Sequence, residues 1–151
     1  MITVKELMSN ELYTLKSTNT IHQARELMLK KRVRHVPIVD KKGEFVGLLT
    51  KHDVLGASVS ALADINDQER NELESNIPIS GIMMTKVVFA EEDTSLLEAA
   101  RFMLKQKQGC LPIFRGSKLV GILTEADFVK LALQLMEEST KYEEINNESS
   151  N

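Results

Sequence analysis

Two stretches of the chain decide its fold: VPIVDKKGEFVGLLTKHD at residues 36–53 and LPIFRGSKLVGILTEAD at residues 111–127. Each stretch joins two short apolar runs around a turn that contains glycine, a pattern that predicts a buried β-hairpin. Each hairpin ends in Thr-x-x-Asp and leads into a helical pattern, predicted over 54–63 and 128–136. The match between the two stretches indicates an internal duplication.

The duplication extends upstream of the hairpins. A shift of 75 residues lays Met28-Leu29-Lys30 on Met103-Leu104-Lys105 and Pro37-Ile38 on Pro112-Ile113. Beyond the turns the shift becomes 74, as two hairpin turns of unequal length would produce. The chain is therefore a tandem repeat.

Each hairpin is preceded by a predicted helix and a predicted strand. Thr20-x-x-Gln23 and Ser95-x-x-Glu98 have the capping-box spacing, so we expect helices that begin near residues 20 and 95. The second helix is expected to end near Gly109. Short apolar segments at 12–15 and 87–90 predict the first strand of each copy.

The predicted fold class is α/β, with two pseudo-symmetric repeats of strand-helix-strand-strand-helix. A unit of about 50 residues buries little apolar surface alone, so we expect the two repeats to pack together as one module. The predicted boundaries are repeat 1 at 1–62, a polar helical linker at 63–77, repeat 2 at 78–136 and an acidic disordered tail at 137–151.

Composition excludes several classes of protein. Hydrophobic residues make up 42% and charged residues 27% of the 151 residues, as in soluble globular proteins. No apolar run approaches the roughly 20 residues needed to span a bilayer, and no basic-then-apolar leader begins the sequence, so we expect no membrane partner and a cytoplasmic location.

Charge and cysteine content narrow the chemistry further. The single cysteine excludes an intrachain disulfide, and no spacing typical of a metal site occurs, so no metal is expected. The net charge is -3, and the tail accounts for more than all of it. The nearly neutral remainder argues against a nucleic-acid partner, which usually requires a basic stripe.

The tandem pattern resembles a pair of cystathionine-β-synthase (CBS) domains, the arrangement called a Bateman module, over roughly residues 1–136. The resemblance implies two pseudo-symmetric CBS repeats with two clefts that bind adenosine nucleotides such as AMP, ADP or ATP, or in some members S-adenosylmethionine or NAD derivatives. It also implies regulation rather than catalysis, and a homodimer formed through exposed helix faces. The helix predicted after Ser95 is apolar over more of its circumference than one core contact requires, which also favours a dimer; packing against the helices of the other repeat is the alternative.

The Thr-x-x-Asp steps are the first candidate binding residues. The start of a helix presents free backbone N–H groups to a phosphate, and a threonine can add a hydroxyl donor. An aspartate one turn later can accept from two ribose hydroxyls. These considerations select Thr50 and Asp53 in the first copy and Thr124 and Asp127 in the second. The alternative is that both steps are capping boxes that bind nothing.

Basic residues are concentrated in the first copy, so the clefts are expected to differ. The resemblance implies that Arg34 and His35 reach a phosphate, and a protonated His35 would add charge below its usual pKa of about 6.5. A solvated surface cluster is the alternative. For a single ligand we expect the phosphate near Arg34 or His35 and the ribose on Asp53 or, across the module, on Asp127.

The resemblance also implies an apolar slot for adenine at the strand entries. The residues at those positions are Val33, Val36, Gln108 and Leu111. Ordinary packing in the core or at a strand edge is the alternative for each of them.

The predicted function is therefore a stand-alone regulatory pair of domains that binds an adenine nucleotide as a metabolite or energy sensor. We expect a homodimer that acts through an unidentified protein partner and is not an enzyme, since no nucleophile-base arrangement or pair of catalytic carboxylates is visible. The alternatives are a ligand-free homodimeric scaffold and a sensor of S-adenosylmethionine or an NAD derivative.

Overall fold

The computed structural model describes residues 1–58 and 65–150 and contains the same order of elements twice. In chain order the elements are α1 (Val4–Leu7), β1 (Leu15–Lys16), α2 (Ile21–Lys31), β2 (His35–Val39), β3 (Phe45–Thr50), α3 (Lys51–Ala57), α4 (Asp67–Glu74), a 3-10 turn (Ile79–Gly81), β4 (Ala90–Glu91), α5 (Leu96–Gln106), β5 (Cys110–Arg115), β6 (Lys118–Thr124) and α6 (Glu125–Ser149). The first repeat runs from β1 to α3 and the second from β4 to α6. The predicted α/β class and the order strand-helix-strand-strand-helix are confirmed.

Each repeat forms its own three-stranded sheet, in the order β1-β2-β3 and β4-β5-β6. The first strand pairs in parallel with the second, and the hairpin strands pair antiparallel. The first strands are only two residues long and lie at the ends of the predicted segments 12–15 and 87–90. Five residues separate the paired Val39 and Phe45, and four separate Phe114 and Leu119, which confirms that unequal turns cause the change of shift.

The helices after the first strands begin where the capping boxes predict. In α2 the Thr20 side chain accepts from the Gln23 amide, and in α5 the Ser95 hydroxyl accepts from the Glu98 amide at 3.1 Å. Both helices end on a residue in the left-handed conformation, Arg32 at φ 54° and Lys107 at φ 52°. Helix α5 therefore ends two residues before Gly109, where its end was predicted, because Lys107 adopts the left-handed conformation that glycine usually adopts at this position.

The segment that precedes each repeat packs on the other repeat. Val4 of α1 is fully buried in the core of the second repeat, and bridges join Thr3 to Ser95 and Ser9 to Ile122. In the reverse direction, Ile79 is fully buried in the core of the first repeat. The predicted boundaries 1–62 and 78–136 divide the chain by position in the sequence. In the structure, the leading segment of each repeat, which precedes β1 or β4, completes the core of the other repeat.

A glycine in each hairpin permits this exchange. A Cβ atom added at Gly47 would lie 2.8 Å from the Met84 carbonyl oxygen, and one added at Gly121 would lie 3.1 Å from the Ser9 carbonyl oxygen. The contact at Gly47 is closer than a Cβ atom tolerates, and the one at Gly121 would require the backbone to move by a few tenths of an ångström, so the leading segments cross the sheets where no side chain stands.

Each repeat has its own apolar core, and a smaller cluster joins them. Leu48 from the first repeat packs with Cys110 and Ile122 from the second, and Leu12 and Val87 cover this cluster. The sheets therefore meet along an apolar seam, so the two repeats form one packed module.

The segment between the repeats contains α4, which begins after Asn66 and ends at Glu74. The Glu74 carboxylate is buried and lies 2.8 Å from the Arg25 guanidinium, so α4 is tied to α2. The helix predicted over 54–63 occupies Lys51–Ala57, and residues 59–64 lie outside the described part of the chain.

The expectation of a disordered tail at 137–151 differs from the structure, in which α6 continues to Ser149. Its first turns hold Phe128 and Leu131 against the core of the second repeat. Once a helix is nucleated, each further residue costs little to add, and Glu, Lys, Gln and Met are good helix formers. The exposed end of α6 thus persists without tertiary contacts.

Candidate functional site

A cleft of about 580 Å³ lies between the two repeats. Its walls come from the residues just before β2 and from the first turn of α6, and the segment before β1 forms a third side. The lining residues are Ser9, Glu11, Leu12, Tyr13, Lys31, Arg32, Val33, Arg34, His35, Pro37, Gly109, Ile122, Thr124, Glu125, Ala126, Asp127 and Lys130. The cleft therefore combines the predicted positions of one repeat with the Thr-x-x-Asp step of the other.

The start of α6 is fixed by hydrogen bonds within the Thr-x-x-Asp step. The Thr124 amide donates to Asp127 Oδ2 at 2.8 Å, and the Thr124 hydroxyl lies 3.2 Å from the same oxygen. The Glu125 amide donates to the Gly109 carbonyl at 3.1 Å, which ties the helix to the strand entry of its own repeat. Among the described residues Asp127 Oδ1 has no hydrogen-bond partner, so the aspartate can cap its helix and accept from a ligand at once.

The first repeat has the same local geometry. The Thr50 amide donates to Asp53 Oδ2 at 2.9 Å, the Asp53 amide donates to Thr50 Oγ1 at 3.0 Å, and the Lys51 amide donates to the Arg34 carbonyl at 2.8 Å. Thr50 and Asp53 do not line the cleft described above. They occupy the equivalent place in the other half of the module, so it is Asp127 and not Asp53 that lines this cleft with Arg34 and His35.

One wall of the cleft is positively charged. Lys31, Arg32 and Arg34 are all exposed at their ends, and Arg34 directly precedes the half-buried His35. Burial lowers the pKa of His35, an effect that the nearby Glu125 carboxylate opposes. At pH 7 the His35 imidazole is therefore mainly neutral, and Arg34 rather than His35 supplies the charge expected at this point.

Glycine at position 109 gives the cleft its width at this wall. A Cβ atom there would lie 3.4 Å from the Glu125 carboxyl carbon and 3.5 Å from His35 Nε2. A larger residue would stand between these two side chains and fill the space beside them.

The four residues predicted for an adenine slot have different positions. Val33 is half-buried and lines the cleft. Val36 and Leu111 are fully buried in the cores of the first and second repeats and do not line the cleft, so the packing alternative describes their side chains. Strand alternation explains this, because both residues point to the face of the sheet that carries the helices.

The fourth residue, Gln108, is also buried, with 7% of its surface exposed. Its Oε1 accepts from the Val88 amide at 3.1 Å, and its Nε2 donates to the carbonyls of Val88 and Cys110, both at 2.7 Å. The carboxamide of Gln108 is thus fully engaged with backbone groups of its own repeat.

Sequence patterns gave no indication that the segment before β1 lines the cleft. Tyr13 lies there with its hydroxyl 2.5 Å from Glu11 Oε1, and this hydrogen bond raises the pKa of Tyr13. The Lys31 ammonium lies 5.2 Å from the centre of the Tyr13 ring. The 75-residue shift, which relates Tyr13 to Val88, is the only sequence signal that could have pointed to this position.

Two further observations concern the described part of the chain, residues 1–58 and 65–150. There, no three His, Cys, Asp or Glu side chains come together as a metal site. None of the helices in those ranges combines the length and the apolar character needed to cross a bilayer.

Comparison with known proteins gives consistent matches. The family model of the CBS domain matches the chain twice, at residues 4–60 and 79–134. A CBS domain-containing protein of Dictyostelium discoideum is 28% identical over 137 residues, which covers 90% of this chain and 94% of that protein.

Two crystal structures of similar proteins contain ligands. CBSX2, a protein of Arabidopsis thaliana, is described in complex with AMP; it is 28% identical, with a TM-score of 0.71 over 90% of this chain and 99% of that one. The CBS domain pair of protein MJ0100, in complex with 5′-methylthioadenosine and S-adenosyl-L-methionine, is 29% identical, with a TM-score of 0.71 over 87% of this chain and 95% of that one.

Proposed function

Since this chain belongs to the CBS domain family and is a tandem pair of these domains, we propose that it binds an adenine nucleotide of the AMP, ADP or ATP class and acts as a regulatory sensor. The proposal assigns it a binding role without catalysis. The output then passes through a protein partner that responds to the occupied or empty cleft.

The observation that carries the proposal is the cleft that joins Arg34 with Asp127 across the two repeats. Its volume of about 580 Å³ falls in the range of small-molecule sites. In the proposed complex the free Oδ1 of Asp127 accepts from the ribose hydroxyls, and the Arg34 guanidinium pairs with the phosphate. Val33 and Leu12 provide the apolar surface for the base.

The ligands of the similar structures support the adenosine part of this assignment. AMP, 5′-methylthioadenosine and S-adenosyl-L-methionine share an adenine base on a ribose with two free hydroxyls. A site that recognises the base and the ribose would accept all three, and the groups around the 5′ position would then decide among them.

The charge of the cleft favours a nucleotide over S-adenosylmethionine. The sulfonium of S-adenosylmethionine is a cation, and a phosphate is an anion. Lys31, Arg32 and Arg34 line one wall, so a phosphate is attracted to this wall and a sulfonium is repelled from it, whereas Glu11, Glu125 and Asp127 lie on the other sides of the cleft.

We also propose that the protein is a homodimer in the cytoplasm. Exposed apolar side chains recur at equivalent helix positions of the two repeats: Leu29 and Leu104 are 70% and 82% exposed, and Leu55 and Val129 are 61% and 68% exposed. Four such residues on the outer helices are a surface that a second copy can cover. A single cysteine, buried and unpaired, fits a reducing compartment.

Isothermal titration and thermal melts with AMP, ADP, ATP and S-adenosylmethionine test the function. Ligand at 100 times its dissociation constant should stabilise the protein by about 2.7 kcal/mol, a rise in Tm of roughly 5–11 °C. Asp127→Asn keeps an oxygen that can cap α6 but removes the charge, and should weaken AMP binding about 10-fold to 100-fold.

Asp53→Asn is the matched control, because it makes the same change in the other repeat. It should leave the affinity for AMP unchanged if the bound nucleotide lies in the described cleft. Absence of any melting shift with all four compounds would favour the ligand-free scaffold instead. Turnover of ATP by the wild type that the Asp127 variant lacks would show an enzyme.

A further inference from the structure

The buried carboxamide of Gln108 forms hydrogen bonds with three backbone groups of the second repeat. One acceptor atom, Oε1, receives the Val88 N–H, and one amino group, Nε2, donates to two carbonyls, those of Val88 and Cys110. We call the Val88 N–H and the Val88 and Cys110 carbonyls the backbone edge of the second repeat. A group that pairs with this edge needs an acceptor next to an amino group that has two hydrogens.

The first repeat has the same edge without the glutamine. Leu15 pairs with Ile38 and Ala90 with Ile113, so both registers are related by 75 residues, as are the left-handed Arg32 and Lys107. The same shift places Tyr13 at the position of Val88, His35 at that of Cys110, and Val33 at that of Gln108. A valine side chain makes no hydrogen bonds.

The backbone of Tyr13 is consequently free. Within residues 1–58 and 65–150 neither its N–H nor its C=O has a hydrogen-bond partner, and both Tyr13 and Val33 line the cleft between the repeats. A ligand that enters the cleft therefore meets the N–H and C=O of Tyr13, which are equivalent to the Val88 groups that Gln108 binds in the other repeat. Unpaired peptide groups at the edge of an apolar site favour a ligand that pairs with them.

Adenine has the complementary edge, with ring atom N1 as the acceptor and the adjacent 6-amino group carrying two hydrogens. Hypoxanthine reverses this edge: its N1 carries a hydrogen and would face the Tyr13 N–H, and its 6-carbonyl oxygen would face the Tyr13 carbonyl. The same edge therefore separates the two bases.

We propose that Gln108 occupies the base position of the second cleft with its own carboxamide, so that one adenine base binds per chain, in the first cleft, with its amidine edge on the backbone of Tyr13. This inference rests on the proposed nucleotide function and deepens it. The glutamine acts as a built-in substitute for the base, and Val33 keeps the equivalent position open.

The decisive variant is Val33→Gln, which gives the first repeat the side chain of the second. Titration of the wild type with AMP should show one site per chain, and Val33→Gln should weaken AMP binding about 100-fold, as expected when two to three hydrogen bonds are taken by the protein itself. Val33→Leu is the matched control for volume, because it fills the position to a similar extent without an amide; it should weaken AMP binding clearly less than Val33→Gln does, and equal losses in the two variants would contradict the role of the carboxamide. Two sites per chain, or unchanged affinity in Val33→Gln, would overturn the inference.

The base preference and the backbone groups are tested separately. IMP should bind the wild type at least about 10-fold more weakly than AMP, since one good hydrogen bond is worth about that factor; equal affinity contradicts the assignment of the edge. Hydrogen exchange of the Tyr13 amide should be fast in the free wild type and slow in Val33→Gln without ligand.

The exchange measurement does not depend on nucleotide binding. If wild-type protein binds none of AMP, ADP and ATP, the proposed function fails; slow exchange in Val33→Gln would then still support the matching of the two edges. If AMP binds but the Tyr13 amide remains unprotected in both the complex and Val33→Gln, only the assignment of the edge fails.

Discussion

Replacement of Gly47 by alanine tests how tightly the leading segment of the second repeat crosses the first sheet. The added Cβ would lie 2.8 Å from the Met84 carbonyl oxygen and 2.9 Å from Met83 Sδ. The sulfur belongs to a flexible side chain and can move. The carbonyl oxygen cannot move alone, because Met84 O accepts from the Leu48 amide at 2.9 Å and Met84 N donates to the Leu48 carbonyl at 2.8 Å.

The expected cost has two parts. Forcing an extra carbon into a packed site costs about 1–3 kcal/mol, and displacement of the Met84 backbone weakens two hydrogen bonds worth about 1 kcal/mol each. We therefore expect Gly47→Ala to lose about 2–3 kcal/mol of unfolding free energy. At this chain length 1 kcal/mol corresponds to about 2–4 °C, so Tm should fall by roughly 4–12 °C.

Thermal melts followed by circular dichroism, with urea unfolding for the free energy, provide the assay. Gly56→Ala is the matched control, since Gly56 lies in α3 and an added Cβ meets no atom within 4 Å. That change should stabilise the protein by about 0.5–1 kcal/mol, because alanine is the better helix former. If Gly47→Ala melts at or above the temperature of the wild type, the close crossing does not exist as described.

Two further predictions concern pH and assembly. Burial lowers the pKa of His35 below that of an unfolded histidine, so the folded state binds this proton more weakly. The wild type should therefore lose stability as pH falls from about 6.5 toward the lowered pKa, and His35→Gln should lose less. Urea unfolding from about pH 7.5 to 5 measures the difference, and parallel curves for the two proteins would contradict the burial of the imidazole. Light scattering should give a dimer for the wild type and a monomer of unchanged helical content for the double variant Leu29→Glu/Leu104→Glu; a wild-type monomer, or a dimer that survives both charges, would exclude this surface.

The repeated architecture could be predicted from the sequence because its signals are local. The caps at Thr20 and Ser95 and the apolar runs around the turns each lie within a few residues, and short-range periodicity specifies helices and strands. For a phosphate near Arg34 or His35, the sequence left the ribose partner open between Asp53 and Asp127, and the cleft is lined by Asp127.

Long-range packing could not be predicted in the same way. The bridge between Thr3 and Ser95 joins residues that are far apart in the chain and that carry no pattern to announce their contact. Val36 and Leu111 lie in the cores, and the sequence could not show this, because apolar residues beside a binding site and in a core look alike in a sequence. Gln108 was predicted to lie in a binding site, and in the structure its carboxamide is bonded to backbone groups of its own repeat, which no sequence pattern indicates.

Because each leading segment completes the core of the other repeat, the chain cannot be cut between the repeats into two fragments with complete cores. A fragment that stops before Pro78 has no residue to fill the space of Ile79, and one that starts at Pro78 lacks Val4, so each half would expose part of its interior. In a chain with a single copy, the same contacts would require two molecules to exchange their leading segments. Duplication in tandem would then have fused an already intertwined pair into one polypeptide.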